Sequence, residues 1–393
     1  MKQAILTINA GSSSIKFALF PLAHPISPEA EVSGQIDGIG TNATKMVAKD
    51  RTGEKIANQA IAGEQVSHDV AFDALLKWFQ ATQAGWQIVA VGHRVVHGGE
   101  RYSAPTIVDA TVLDHLQSFI PLAPLHEPHN VAGIRALQAL LPDVPQIACF
   151  DTAFHRTQPE VAQSFALPRA LSAEGIKRYG FHGLSYEFIA RALPQHSHRA
   201  AGRVVVAHLG NGASMAAMVN RKCVATTLGF STIDGLMMGT RCGNLDPGVV
   251  LHLMETKGLT VKDMTRMLYK ESGLLGVSGI SQDMRTLLAS DKPEAEEAVN
   301  LFCYRIAREL GSLAAAAGGI DALVFTGGIG EHAAEVRRRV CLQSDWLGIR
   351  LDPEANARHD VVISAGNSSV DVLVIPTNEE WMMAHHAQTL LAL

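Results

Sequence analysis

A strand–turn–strand segment near the start of the chain is repeated, in altered form, near its middle. Residues 5–20 read as an apolar strand, a polar turn of small residues and a second apolar strand, and residues 204–219 repeat this order at an offset of 199. Two unrelated hairpins of a common type would give a similar local pattern, but a later glycine-rich turn at 327–330 favours a true repeat. A repeated α/β unit predicts two domains of one architecture. The offset pairs Asn9 with His208, Gly11 with Gly210 and Ser12 with Asn211.

Length and composition agree with two globular domains. The chain has 393 residues, of which 47% are hydrophobic and 18% charged, so each half can bury a core. A formal net charge of −5 argues against a general nucleic-acid or membrane-binding surface. The five cysteines are scattered and form no CxxC pair, which argues against a disulfide framework or zinc site. With no signal-peptide pattern or long apolar run, we expect a cytoplasmic protein.

The element pattern sets the expected domain bounds. Helical spacing predicts helices over 69–82, 293–317 and 331–347, and a buried strand is predicted over 146–150. We expect an N-terminal domain of residues 1–150 plus 381–393 and a C-terminal nucleotide domain of residues 151–380. A cleft that closes by hinge motion is expected between them.

The turns of the repeat suit phosphate binding. Gly11 allows close backbone approach, and the hydroxyls of Ser12 and Ser14 with the ammonium of Lys16 suit phosphate oxygens, while Asn9 could support a metal ion. An ordinary Gly/Ser hairpin turn is the alternative. The chain has neither a GxxxxGK[ST] nor a GxGxxG loop at these turns and no GxSxG elbow.

Several polar residues stand next to glycines or strand ends. Arg94 and Arg241 lie in glycine-bearing turns, where a guanidinium can bind a carboxylate or phosphate through two bonds, or can form a surface ion pair. Asp151 follows a buried strand and could act as a base, hold an arginine, bind metal or cap the next turn. His182 could be a core histidine, and Asp283 could cap a helix or contact a nucleotide.

Nine motifs in order carry a family resemblance. They run nearly end to end: NAGSSSIK (9–16), GHRVVHGG (92–99), PLAPLH (121–126), FDTAFH (150–155), YGFHG (179–183), HLGNG (208–212), GLMMGTRCG (235–243), FTGGIGE (325–331) and PTNEE (376–380). Together they resemble the acetate kinase (acetokinase) family of the actin/hexokinase-like phosphotransferase superfamily. The resemblance implies an α/β fold of two duplicated actin-like (ribonuclease H-like) domains, with mixed sheets flanked by helices.

The resemblance also implies an activity and a set of site residues. The activity is reversible, direct in-line phosphoryl transfer between ATP and acetate, with Mg²⁺ or Mn²⁺ as the metal and a homodimer as the assembly. Small molecules are the expected partners, with no nucleic acid and no membrane. The implied residues are Asp151, His182 and Arg241 for catalysis; Arg94, Val96, Leu125, His126 and Phe181 for the carboxylate; Asn9 and Glu379 for the metal; and Ser12, Ser14, Lys16, His208, Leu209, Gly210, Asn211, Gly212, Asp283, Met284, Arg285, Gly328, Ile329, Gly330, Glu331 and His332 for the nucleotide.

Physical chemistry refines one of these roles. A carboxylate substrate is already ionised at neutral pH, so its attack needs no base. We therefore interpret Asp151 as a group that orients Arg94 or the phosphoryl group. Phosphoryl transfer needs positioning and positive charge, which two arginines, a histidine and a metal ion supply.

The sequence also departs from the family pattern. His332 stands where asparagine is usual, beside the adenine-side contacts, and Ser231-Thr232 replaces Thr-Pro at the border of the acyl pocket. The further departures are Leu184, Tyr186 and Glu127.

Two rival functions stay open at this point. A propionate or butyrate kinase would use the same scaffold, since one methylene is worth only about 1–3 kcal/mol in an apolar pocket. A nucleotide-binding sensor without turnover is the rival from another class.

Overall fold

The chain forms two compact units. The computed structural model describes residues 1–11, 13–82, 85–124 and 126–393. Unit 1 comprises Met1–Ala153 with Asn378–Leu393, and unit 2 comprises Phe154–Thr377. The C-terminal segment therefore belongs to the same unit as the N-terminal strands.

Unit 1 is built on one mixed sheet of eight strands within the described residues. Their order across the sheet is β5-β4-β3-β2-β1-β6-β8-β7. The β1–β6 and β6–β8 pairs are parallel, and the meander from β1 to β5 is antiparallel. The strands are β1 Lys2–Ala10, β2 Ser14–Pro21, β3 Val32–Asp37, β4 Lys45–Asp50, β5 Lys55–Ala60, β6 Trp86–Val95, β7 Thr106–Ile107 and β8 Gln146–Phe150.

Unit 2 repeats the inner part of this sheet. Its order, β11-β10-β9-β12-β13, and its strand directions match β3-β2-β1-β6-β8 of unit 1. The predicted repeat is therefore present as a repeated sheet topology. The strands are β9 Arg203–Leu209, β10 Ala213–Val219, β11 Lys222–Thr226, β12 Ala322–Thr326 and β13 Asp371–Val374.

Helices flank both sheets. The bounds, in chain order, are α1 His68–Thr82, α2 Ala110–Ser118, α3 Glu127–Leu140, α4 Glu160–Gln163, α5 Arg169–Ala173, α6 Gly183–Ala192, α7 Pro247–Lys257, α8 Val261–Lys270, α9 Gly273–Ser278, α10 Met284–Leu288, α11 Pro293–Ala317, α12 Gly327–His332, α13 Ala334–Gln343, α14 Pro353–Ala357 and α15 Glu379–Leu391. None of the helices in the described part of the chain combines the length and apolar character needed to cross a membrane.

Each unit has its own apolar core. In unit 1 the alternating residues of β1 and β2 pack against the buried face of α1, where Phe72, Leu75 and Phe79 are at most 5% exposed. In unit 2 the central strands β9 and β12 are buried on both faces, as their near-continuous apolar sequences require. These cores hold the carboxyl ends of the parallel strands, where the polar motifs lie.

Two sequence expectations were wrong in local detail. Arg94 was expected in a glycine turn, but it lies within β6, because that strand pairs with β1 on one side and β8 on the other. The helix expected over 331–347 is divided into α12, α13 and a 3₁₀ turn at Asp345–Leu347. The glycine-rich segment at 327–330 is thus the first turn of α12, rather than a loop before a helix.

Candidate active site

Unit 1 holds a buried acid–guanidinium pair at the ends of β6 and β8. Asp151 directly follows β8 and its side chain is 1% exposed, while that of Arg94 is 20% exposed. The Arg94 Nε donates to both carboxylate oxygens of Asp151 at 3.1 Å, and Nη2 donates to Oδ2 at 2.5 Å. Nη1 donates to Oδ1 of Asn9 at 3.2 Å. The pair fixes the plane of the guanidinium.

The charged groups of this site change each other's pKa values. Burial alone would lower the pKa of Arg94, but the carboxylate of Asp151 outweighs it, so the pKa of Arg94 is raised and the guanidinium stays charged. Glu379, in the first turn of α15, is close enough to Arg94 and Asp151 for their charges to affect its pKa. Burial raises the pKa of the Glu379 carboxyl; Arg94 opposes that rise, and the charges of Asp151 and Glu380 add to it. The site therefore brings the carboxyl groups of Asp151, Glu379 and Glu380 close to the cations Arg94 and Lys16.

The residues present suit a hard divalent cation. Glu379 supplies a carboxyl group whose ionised form is disfavoured where it lies, and a bound cation would relieve that cost. Asn9 supplies an amide oxygen, the other type of oxygen ligand that such ions accept. Among the described residues there is no cluster of three or more His, Cys, Asp or Glu side chains placed for a metal. A site with two protein ligands, completed by water and phosphate oxygens, is the usual arrangement for Mg²⁺.

The predicted phosphate hairpin links β1 and β2. Asn9 and Lys16 are directly opposite in the antiparallel register, so both side chains lie on one face of the sheet. Lys16 is exposed, and the main-chain carbonyl of Ser14 accepts a hydrogen bond from the Gly11 N–H at 2.8 Å. Ser12, also predicted to bind nucleotide, lies outside the described residues.

Of the residues predicted for the acyl pocket, Val96 and His126 lie in unit 1 and Phe181 lies in unit 2. Val96 is buried at the end of β6, and His126 directly precedes α3. Phe181 is buried in unit 2, where its carbonyl oxygen lies 2.8 Å from Nε2 of His155. Leu125, the fourth predicted member, lies outside the described residues.

His182 in unit 2 is held by hydroxyl groups and a second imidazole. Its backbone is left-handed, with φ of 59°, and it forms the N-cap position of α6. Nδ1 of His182 lies 2.8 Å from Oγ of Ser214, which in turn lies 2.5 Å from the hydroxyl of Tyr186. The His182 ring stacks on that of His208 at 4.4 Å. The buried hydroxyl pair fixes the orientation of the ring.

The HLGNG turn lies against His182 and Arg241. A Cβ at Gly212 would be 3.5 Å from Nε2 of His182 and 4.0 Å from Nη1 of Arg241, so this glycine stands next to both side chains. Arg241 donates from Nη1 to the carbonyl of Thr232 at 3.1 Å and stacks its guanidinium over Tyr269. The structure thus brings together the predicted histidine, arginine and glycine turn of unit 2.

A cavity of about 430 Å³ in unit 2 is lined by eight of the sixteen predicted nucleotide residues. Asp283 both caps α10, by accepting from the Arg285 N–H at 2.9 Å, and forms an ion pair with the Arg285 side chain at 2.6 Å. The proposed cap and the proposed site residue are therefore the same group. The lining residues are Gly210, Asn211, Gln282, Asp283, Met284, Arg285, Leu288, Gly328, Ile329, His332 and Ala333. The other predicted nucleotide residues of unit 2 adjoin the lining residues in sequence: His208, Leu209, Gly212, Gly330 and Glu331.

The glycine-rich start of α12 is fixed by two charged residues. Oε1 of Glu331 accepts from the N–H of Gly327 at 2.9 Å, which closes the first turn from within. Arg337 is fully buried and donates to the carbonyls of Gly330 and Glu331, both at 2.8 Å. Burial lowers the pKa of Arg337 to about 10, and the side chain stays charged at neutral pH.

The sequence did not reveal the residues that support the site segments through hydrogen bonds. Arg337 is one of three consecutive arginines, and residue type alone does not distinguish it from the other two. Ser214 lies within the repeated segment 204–219, and the sequence alone assigns it no role. Asn130, whose contacts are described below, lies two residues after Pro128, and the sequence alone assigns it no role either. Helical spacing places both Arg337 and Asn130 toward the core, and this was the available signal.

The duplicated mixed sheets, with polar residues after the parallel strands, are the actin-like phosphotransferase fold. The chain belongs to the acetokinase family, whose sequence profile matches residues 4–385. It is 56% identical over 393 residues to an acetate kinase of Rhodopseudomonas palustris, and the alignment covers 98% of each chain.

Solved structures give the same result. The chain superimposes on a propionate kinase of Francisella tularensis with a TM-score of 0.91 and 38% identity, covering 98% of this chain and 99% of the other. An acetate kinase of Porphyromonas gingivalis matches with a TM-score of 0.88 and 37% identity, covering 99% and 100%.

Proposed function

We propose that the protein catalyses reversible phosphoryl transfer between ATP and acetate, giving ADP and acetyl phosphate. Its membership in the acetokinase family and its nearly full-length likeness to acetate kinases support this. The observation that carries the proposal is the guanidinium of Arg94, fixed by Asp151 and Asn9. Within the described residues these bonds use three of its five N–H groups and leave one on each terminal nitrogen, the pair that binds a carboxylate in plane.

The transfer itself needs orientation more than proton movement. A carboxylate oxygen of acetate attacks the γ-phosphorus, and the new O–P bond forms as the bond to the β–γ bridging oxygen breaks. ADP leaves with that electron pair. Because the attacking group is already an anion, we assign Asp151 the role of orienting Arg94 rather than that of a base.

Residues of unit 2 act on the phosphoryl group and the nucleotide. Arg241 supplies a fixed positive charge, and His182 supplies a ring nitrogen, for the charge on the transferring oxygens. In this proposal the glycines that line the 430 Å³ cavity leave room for the phosphates, and its apolar residues contact the base.

A divalent metal ion would be held through Asn9 and Glu379. When bound, Mg²⁺ or Mn²⁺ neutralises charge on the β- and γ-phosphates. Asn9 would then hold the metal and Arg94 through the same amide oxygen, which joins the metal site to the carboxylate site.

Propionate is the second candidate substrate. The likeness to a propionate kinase of Francisella tularensis, with a TM-score of 0.91, favours testing it. The identity of 56% to an acetate kinase favours acetate as the preferred acid. A pocket larger by one methylene would shift the preference by about 1–3 kcal/mol.

The test is the formation of acyl phosphate, trapped as its hydroxamate, from MgATP with acetate, propionate and butyrate. We expect the highest kcat/KM with acetate and no product without a divalent metal. A preference for propionate would make the second candidate correct, and binding of ATP without acyl phosphate from any of the acids would favour a non-catalytic sensor.

We also propose a cytoplasmic homodimer, as the family resemblance implies. Support comes from α7, an eleven-residue helix with no buried residue and apolar side chains, among them Leu251, which is 66% exposed. The substitution Leu251→Glu should convert dimer to monomer in light scattering after gel filtration. The matched control is Val161→Glu, at an exposed residue of α4. A monomeric wild type would contradict the proposal.

A further inference from the structure

The first turn of α3 contains a buried asparagine that contacts the ends of two site-bearing strands. Asn130 is 3% exposed. Its Oδ1 accepts a hydrogen bond from the N–H of Val96 at 3.0 Å, and its Nδ2 donates to the carbonyl of Ala10 at 2.9 Å. Both partners are main-chain groups. A single side-chain amide therefore bridges the end of β1 to the segment that follows β6.

The position of this bridge is specific. The parallel pairing of β1 with β6 extends to Ile8 opposite His93. Two residues further along β1, the Asn130 side chain lies between the end of β1 and the segment after β6. It accepts from one segment and donates to the other, as a main-chain peptide group would. Ala10 is adjacent to Asn9, and Val96 is two residues from Arg94. The bridge therefore sets the distance between the ends of the strands that carry those two side chains.

The same helical turn makes two further contacts with these segments. Oε2 of Glu127 accepts from the N–H of His97 at 3.3 Å. The ring of His129 stacks on that of His68 at 4.9 Å, and Nε2 of His68 lies 2.8 Å from the carbonyl oxygen of Gly11. A carbonyl only accepts, so Nε2 of His68 carries the hydrogen in this bond. The turn thus supports both the hairpin and the segment after β6.

We propose that Asn130 is a positioning residue that fixes the phosphate-side hairpin relative to the carboxylate-side guanidinium. This rests on the proposed function of those two segments. Positioning matters most where the reacting atoms must align, so its loss lowers kcat more than it raises either KM. A purely structural asparagine would lower stability and the yield of folded enzyme, with kcat per folded molecule unchanged.

The main test is Asn130→Asp, which keeps an oxygen for the N–H of Val96 and loses the donor to Ala10. We expect kcat to fall roughly 10- to 100-fold, with the KM for acetate and the KM for MgATP each within about threefold of wild type. The matched control is Gln138→Glu, on the same helix, which removes an amide donor to the carbonyl of Val108 and should leave kcat unchanged.

A second variant, His68→Ala, tests the proposal if the Asn130→Asp protein does not fold. His68 is only partly buried, and His68→Ala removes its bond to Gly11 at less cost to the core. It should lower kcat about 3- to 10-fold with little change in either KM. Kinetics are normalised to the folded fraction measured by circular dichroism.

The outcomes distinguish a failure of the proposed function from a failure of the positioning role of Asn130. An inactive wild type would overturn the proposed function. An active wild type, with wild-type kcat per folded molecule in the Asn130→Asp and His68→Ala variants, would overturn the positioning role alone. A rise in KM without a fall in kcat would also overturn it.

Discussion

The two units use one sheet topology for different chemistry. In unit 1 an ion pair joins Arg94, near the end of β6, to Asp151, which directly follows β8. In unit 2 the equivalent strand β12 leads directly into α12 at Gly327, where the backbone is left-handed with φ of 75°. At these equivalent strand ends, unit 1 presents charged side chains and unit 2 presents the first turn of a helix. The repeat provides the geometry, and the few residues after each strand determine the chemistry.

The units also differ in how they bury charge. Arg337 in unit 2 directs all five of its N–H groups to acceptors, so its burial is compensated. Glu127 in unit 1 is fully buried, and its Oε1 has no hydrogen-bond partner among the described residues. Burial raises the pKa of Glu127 to about 8, which keeps this carboxyl neutral at neutral pH. Unit 2 thus keeps buried Arg337 charged through hydrogen bonds, whereas unit 1 keeps buried Glu127 in its neutral form.

The largest expected effect tests the charged site of unit 1. Asp151→Asn leaves the Arg94 guanidinium without its buried counter-charge, which should lower the free energy of unfolding by about 3–5 kcal/mol. It also removes the bonds that orient Arg94, so kcat should fall by on the order of 10²-fold or more. ADP affinity, measured by calorimetry, should be unchanged. The control, Asp321→Asn, breaks the partly exposed Arg203–Asp321 pair and should keep kcat. A wild-type kcat in Asp151→Asn would refute the assignment.

The next effect tests the fixed charge of unit 2. Arg241→Ala should cost about 2–4 kcal/mol of transition-state stabilisation, seen as a fall in kcat and in kcat/KM together. Arg358→Ala, which removes an exposed arginine paired with Asp360, is the control and should leave the kinetics unchanged. A change confined to KM would show that Arg241 only binds substrate.

A third experiment compares the glycines of the two units. At Gly327 a methyl group would stand 2.8 Å from the carbonyl oxygen of Leu209, on a left-handed backbone. At Gly11 it would meet Ser14 only at 3.5 Å, an ordinary contact. Gly327→Ala should therefore lower the free energy of unfolding by about 1–3 kcal/mol, and Gly11→Ala should change it by less than about 0.5 kcal/mol. Equal costs in urea unfolding would contradict the distinction.

The last experiment concerns the buried acid of unit 1 and is expected to change stability alone. In the unfolded chain Glu127 ionises near its ordinary pKa of about 4.5, and in the folded protein near 8. Raising the pH from about 4.5 to 8 therefore favours the unfolded state, and the stability given by neutral Glu127 is lost over that window. Glu127→Gln cannot ionise, so its melting temperature should exceed that of wild type by a few degrees at pH 8 and match it near pH 4.5. A constant difference across this window would show that Glu127 does not titrate as described.

Much of the fold follows from the sequence because its signals are local. The apolar runs of β8 and α11 predict both elements to the residue, and the β1–β2 segment matches its repeat in β9–β10. β3 went unpredicted because Val32–Asp37 alternates weakly between apolar and polar residues. Arg94 was misplaced because a glycine in a strand resembles a turn when its two neighbouring strands are unknown.

The site could be predicted only in part. Motifs that contain rare residue patterns, such as HLGNG, supplied the predicted ligand-binding residues. The supporting partners could not be found in this way, because their contacts join distant parts of the chain. Asn130 and Ala10 are 120 residues apart, and Arg337 meets Asn356 through a bond between separate helices. Which unit binds the nucleotide, and which residues contact it, stay predictions until a ligand is bound.

The most direct test of the account is the stereochemical course of transfer from ATP made chiral at the γ-phosphorus to acetate. Direct in-line attack by the carboxylate held at Arg94 predicts inversion at phosphorus, with acetyl phosphate as the product. Retention of configuration, or a phosphorylated protein that passes its phosphoryl group to acetate, would contradict direct transfer.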